Sequence, residues 1–161
     1  MSMSDLYQTS ADLRAATQDL ARIESPLPVG LTLTRSATLA ITTAGTTITW
    51  QTEVRNQGFT WSGADITIPT SGYYSISVIY TSGGAHGSTM RLFVNTVNVL
   101  SMPSDGLVSV RHAFAMMRYF QTNDVIQVNA LPGANTTVQI NAEGAVNESP
   151  FIHVTQLTGA I

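Results

Sequence analysis

The chain contains no cysteine and no lysine; its seven cations are all arginine. Without cysteine there is no disulfide and no thiolate metal site. Charge of either sign is sparse: Asp, Glu, Lys and Arg make up 11% of the 161 residues, against the usual quarter. The net charge is −3 and the arginines do not cluster, which removes the cationic footprint expected for nucleic acid. No apolar run approaches the roughly 18 residues needed to span a bilayer. The opening Met1-Ser2-Met3-Ser4-Asp5 has no basic stretch leading into an apolar one, so no secretory signal is visible. Together these absences predict a soluble protein whose partners are neither nucleic acid nor membrane.

What replaces charge is threonine, with 22 residues. Threonine favours pleated surfaces and builds a polar face without charge. The chain divides into two parts, residues 1–30 and residues 31–161. In the first, Leu6, Leu13 and Leu20 recur every seven positions, with Thr9, Ala16 and Ile23 three residues after each. That spacing predicts a short amphipathic helix, which Pro26 and Pro28 then stop. Residues 5–24 carry four acids and two arginines. The segment reads as an anchor, either a three-stranded stalk or a docking peptide, with Leu6, Leu13, Leu20 and Ile23 as its apolar contacts. A helix packed on its own domain is the plainer alternative.

From Leu31 the period becomes two. Leu31, Leu33, Leu39 and Ile41 mark a first extended stretch; Ile48, Trp50 and Val54 share one parity; Ile66 and Ile68 follow, then Tyr74, Ile76, Val78 and Tyr80. Further strands are expected over 90–95, 97–100, 108–120, 125–131, 137–142 and 151–157. Turn residues separate them, among them Asn56-Gln57-Gly58, Pro69-Thr70-Ser71-Gly72 and Pro132-Gly133. Around nine or ten short strands without a helical interruption predict an all-β, antiparallel sandwich or barrel of jelly-roll size.

Five phrases in order carry a resemblance. They are Asn56-Gln57-Gly58; Ile66-Thr67-Ile68-Pro69-Thr70-Ser71-Gly72-Tyr73-Tyr74-Ser75-Ile76-Ser77; Arg91-Leu92-Phe93-Val94-Asn95-Thr96-Val97; Phe120-Gln121-Thr122-Asn123-Asp124-Val125-Ile126-Gln127-Val128; and Phe151-Ile152-His153-Val154-Thr155-Gln156-Leu157. The series resembles the tumour necrosis factor and complement globular-head superfamily of jelly rolls over about 110 residues. Asn123 stands where the family has glycine, and the closing aromatic pattern is altered. Each phrase also has a local reading. Gly72 supplies a backbone that other residues dislike. Tyr74 turns its ring inward with its hydroxyl at the core edge, and Asn123 tolerates a left-handed turn.

The resemblance implies a homotrimer with apolar and aromatic residues meeting near a three-fold axis. The strands over 108–120 and 151–157 are apolar on both parities, as burial on two faces requires. Phe114, Met116, Met117, Tyr119, Phe151 and His153 are the expected trimer-interface residues.

Catalytic chemistry is sparse. His86, His112 and His153 lack zinc-motif spacing, and there is no Gly-x-Ser-x-Gly elbow, P-loop or dinucleotide fingerprint. Glu53, Asp65, Asp105, Asp124, Glu143 and Glu148 stand singly. The expectation is no enzyme, no cofactor and no metal. An ion or pH response at His112 and His153, or calcium at Asp105, Glu143 or Glu148, are the lesser alternatives. By analogy, a trimeric jelly roll with a short N-terminal appendage looks like a bacteriophage virion surface protein, a capsid decoration or head fibre. Its partners would then be its own copies and the major capsid or another virion protein. The rival is a receptor- or host-glycan-binding module, either a tail tip or a lectin-like or cytokine-like trimer.

Overall fold

Twelve residues from Gly72 to Gly83 form the longest strand, and its alternation builds the centre of the molecule. Tyr74, Ile76, Val78 and Tyr80 point to one side and are buried, while Tyr73, Ser75, Ser77 and Ile79 point to the other. The computed structural model describes residues 29–83, 88–103, 110–133, 138–140 and 150–157. The anchor expected over residues 1–30, with Leu6, Leu13, Leu20 and Ile23, lies outside them apart from its last two residues.

The described residues form thirteen strands and no helix. In chain order these are β1 (Gly30–Thr34), β2 (Leu39–Ile41), β3 (Thr46–Thr47), β4 (Thr52–Asn56), β5 (Thr60–Ser62), β6 (Asp65–Thr67), β7 (Gly72–Gly83), β8 (Ser88–Val94), β9 (Val97–Met102), β10 (Val110–Phe120), β11 (Val125–Pro132), β12 (Val138–Ile140) and β13 (Phe151–Gln156). One sheet runs β2-β12-β7-β13-β1-β4, with β10 along the other side of β7. The second runs β5-β6-β11-β8-β9, with β3 also on β11. Every pairing is antiparallel.

The inner faces of the two sheets share one apolar core. Leu31, Leu33, Ile76, Val78, Ile152 and Val154 come from the first sheet, and Ile66, Met90, Leu92, Ile126 and Val128 from the second. Tyr74 sits at one end of it, edge-on to Phe59 and Phe120 with centroids 6.0 Å away in each case. Its hydroxyl donates to the Thr70 carbonyl at 2.7 Å, so the ring is buried and its polar tip satisfied, as the sequence predicts.

Three turns shape the ends. Asn95 and Thr96, at φ 48° and 70°, close β8 onto β9 in two residues. Asn123 is at φ 71°, the left-handed turn expected of it. Gly72 differs from expectation: its φ is not in the left-handed region. A Cβ there would lie 2.9 Å from the Gln156 side-chain nitrogen, the end of a flexible side chain that can shift away. Val54 also differs. Instead of joining Ile48 and Trp50 in the core it is 56% exposed. The β1–β4 register shifts between Thr32 and Leu33, which leaves Val54 as the extra residue of a bulge.

Candidate functional site

Strand alternation divides the residues expected at an interface. On β10, His112, Phe114 and Phe120 are buried against the core, and Met116 packs partly onto it. Phe114, 7% exposed, therefore serves its own protomer and offers almost nothing to a neighbour. The opposite parity of the same strand faces out: Met117 is 73% exposed and Tyr119 51%. Phe151 and His153 share that outer face, half-buried, because Ile152 and Val154 take the inward positions of β13.

The register lays out this face row by row. Ala113 lies opposite Ile79, which lies opposite Phe151. Ala115, Ser77, His153 and Thr32 form the next row, and Met117, Ser75, Thr155 and Gly30 the one after. Tyr119 ends it against Tyr73, edge-on at 5.4 Å, beside Leu157. Apart from His153, the residues of these rows are small, hydroxylated or apolar, and among the described residues no Asp or Glu stands in them. A surface of this kind loses little when it gives up water, unlike one studded with charges.

His153 lies near the middle. Thr32 Oγ1 is 2.8 Å from its Nδ1 and Thr155 Oγ1 is 2.6 Å from its Nε2, so both ring nitrogens are engaged by threonine hydroxyls. Burial, and then the nearby Arg55 guanidinium, hold its pKa below the ordinary imidazole value.

A second surface lies at the open side of the sandwich. Among the described residues β9 pairs only with β8, and β10 only with β7. Between these edges is a cleft of about 380 Å³ lined by Asn95, Val97, Val99, Arg118, Tyr119 and Asp124. Exposed sheet edges are ordinarily protected by charge, brevity, bulges or proline. Here β4 carries Glu53, Arg55 and the bulge, β5 is only three residues long, and β10 carries Arg111 and Arg118. β9, Val-Asn-Val-Leu-Ser-Met, carries no charge, its one device is the register shift that leaves Val99 unpaired, and Val97 is 63% exposed.

Two polar clusters were not foreseen. Tyr80, Ser88 and His112 form a buried chain, with Tyr80 Oη to Ser88 Oγ at 3.0 Å and Ser88 Oγ to His112 Nε2 at 3.1 Å. The His112 and Tyr80 rings stack at 4.7 Å. Burial pushes the Tyr80 hydroxyl up to about 12 and pulls the His112 imidazole down. Ser88 and His112 are both buried, so this serine–histidine pair faces the core. The other cluster surrounds Arg35, whose buried guanidinium gives Nη1 to the carbonyl and hydroxyl of Thr49, both at 2.7 Å, and Nη2 to the Thr38 carbonyl at 3.2 Å. Neither appears as a short motif, since each partner set is assembled across strands.

The carboxylates are used locally. Asp124 accepts from Asn95 at 2.6 Å and from the Gln121 amide at 2.8 Å. Glu53 accepts from Trp61 Nε1 at 2.6 Å and Asn56 at 2.9 Å, and these two bonds hold its carboxyl below the usual range. Among the described residues no three His, Asp or Glu side chains converge as a metal site. The calcium alternative at Asp105, Glu143 or Glu148 falls outside those residues.

No family model matches the chain, and no curated protein matches it. Solved structures share its fold. The crystal structure of murine APRIL at pH 8.5 is similar at a TM-score of 0.62, with 14% identity over 81% of this chain and 100% of that one. Eiger TNF from S. frugiperda gives 0.61, with 13% identity over 83% and 95%. Pika GITRL gives 0.51, with 13% identity over 82% and 97%. At such identities the likeness establishes the jelly-roll fold of tumour necrosis factor-like proteins and nothing further.

Proposed function

We propose that this chain is a non-catalytic, self-associating jelly-roll module, three copies of which form a projecting virion surface attached through residues 1–30. The observation that carries the self-association is that one protomer presents two different surfaces with little charge and exposed apolar side chains. One is the outer face of β10, β7, β13 and β1, with Arg111 at its end; the other is the edge at β9, whose own six residues are uncharged. A contact between unlike patches is heterologous, and it closes into a ring when the rotation between copies permits. The three-fold trimer implied by the resemblance is such a ring. It would cover Met117, Tyr119 and Val97, which are otherwise large apolar side chains held in water.

The virion setting rests on the reading of residues 1–30 as an anchor, whose three weak contacts would act together in a trimer. Deleting residues 1–28 tests it: the product should remain a folded trimer and no longer join particles. Incorporation of the truncated chain would contradict the anchor.

A second reading, a receptor- or glycan-binding module, has its own support in the cleft beside β9, where an aromatic ring, an arginine and valines adjoin. Its fold is shared with murine APRIL, Pika GITRL and Eiger TNF, which keeps a cytokine-like module in view. Binding of the isolated jelly roll to a glycan array without particle association would favour it.

A further inference from the structure

Among the described residues His153 is the one titratable group in the middle rows of this outer face, and its surroundings do not provide for a charge. On β13 its same-face neighbours are Phe151 and Thr155; on β1 it meets Thr32, on β7 Ser77, and beyond β7 on β10 lies Ala115. On β4 the residue opposite Thr32 is Arg55, a like charge. The carboxylate of that strand, Glu53, pairs with the inward Leu33 position and is engaged by Trp61 and Asn56.

A neutral imidazole fits this site. One ring nitrogen donates to a threonine oxygen and the other accepts from a threonine hydroxyl, so both bonds are made without charge. When the ring takes a proton from solvent, both nitrogens become donors. The hydroxyl that had donated must turn to accept, which leaves its own hydrogen without that partner. The site then holds a cation beside Arg55. In an open protomer, water screens that cation. Beneath a second copy it would be desolvated, and no described carboxylate of its own protomer faces it.

We propose that His153 makes self-association acid-sensitive: the copies assemble on the neutral imidazole and separate as it is protonated. This rests on the self-association reading above, and places its regulation at one side chain near the centre of the contact. The symmetry of a ring repeats the effect once per copy.

The test is sedimentation equilibrium of the full chain at about pH 7.5 and about pH 5, spanning the imidazole range, for the wild type and for His153→Gln and His153→Asn. Fluorescence of the buried Trp50 reports at each pH whether the fold persists. The expected result is a wild-type association constant lower by at least about tenfold at the acid pH, which is one pKa unit of coupling. Whatever their affinity at neutral pH, the two variants should show a ratio near one between the conditions. A wild-type trimer equally tight at both pH values would overturn the switch and leave self-association standing. A parallel acid loss in wild type and variants would also overturn it. A wild-type monomer at neutral pH would remove the underlying reading as well.

Discussion

Thr96 holds φ at 70°, a region where a β-branched side chain is strained by roughly 1–3 kcal/mol. Glycine relieves that strain at some entropic cost, so Thr96→Gly should raise stability by about 1 kcal/mol in urea unfolding. An unchanged or lower midpoint would show the strain to be absent. Tyr74→Phe removes the bond to the Thr70 carbonyl while keeping the ring, and should cost about 1–2 kcal/mol by the same measurement. Tyr74 was legible because strand parity fixes its direction and the ring's polar tip demands a partner. Gly72 was expected to hold a backbone that other residues dislike, yet its φ is not in the left-handed region. What lies nearest it is the Gln156 side chain, 84 positions away, and no local pattern carries that proximity. The clamp on His153 was hidden in the same way, since Thr32 lies 121 positions from it.

At the scale of elements, alternation made most of the strands readable, and it failed where registers shift. Val54 follows Ile48 and Trp50 in parity, but the β1–β4 bulge is a property of the pair of strands and not of β4 alone. β10 shows the other limit. Its double apolarity is visible in sequence, whereas the assignment of Phe114 to the core and Met117 to the outer face needs the pairing with β7. The junction of β7, β8 and β10 has a pH consequence of its own. His112 is buried there with its pKa lowered, so the unfolded chain binds a proton more readily than the folded one. Stability from this group is complete above the ordinary imidazole value of about 6.5 and declines as pH falls below it, levelling once the folded ring is itself protonated. Urea midpoints should therefore drop between about pH 7 and pH 5, and His112→Gln should flatten the fall. An equal fall in the variant would assign it elsewhere.

At the scale of the whole molecule, the jelly roll was legible from strand inventory and turn chemistry. In the sequence, β10 and β13 show more apolar residues than one sheet face can bury. The structure divides that excess between the core and an outer face that carries little charge. Met117→Lys places a cation on the outer face, where a neighbour's cover would desolvate it without a partner. It should weaken association by about a hundredfold or more while leaving the protomer folded, because this side chain is largely in water. The central claim is tested most directly by the mass of the full chain in solution at neutral pH, measured by multi-angle light scattering across a range of concentrations. The account predicts three times the 17.2 kDa of one chain, whereas a species that stays at 17.2 kDa throughout would contradict it.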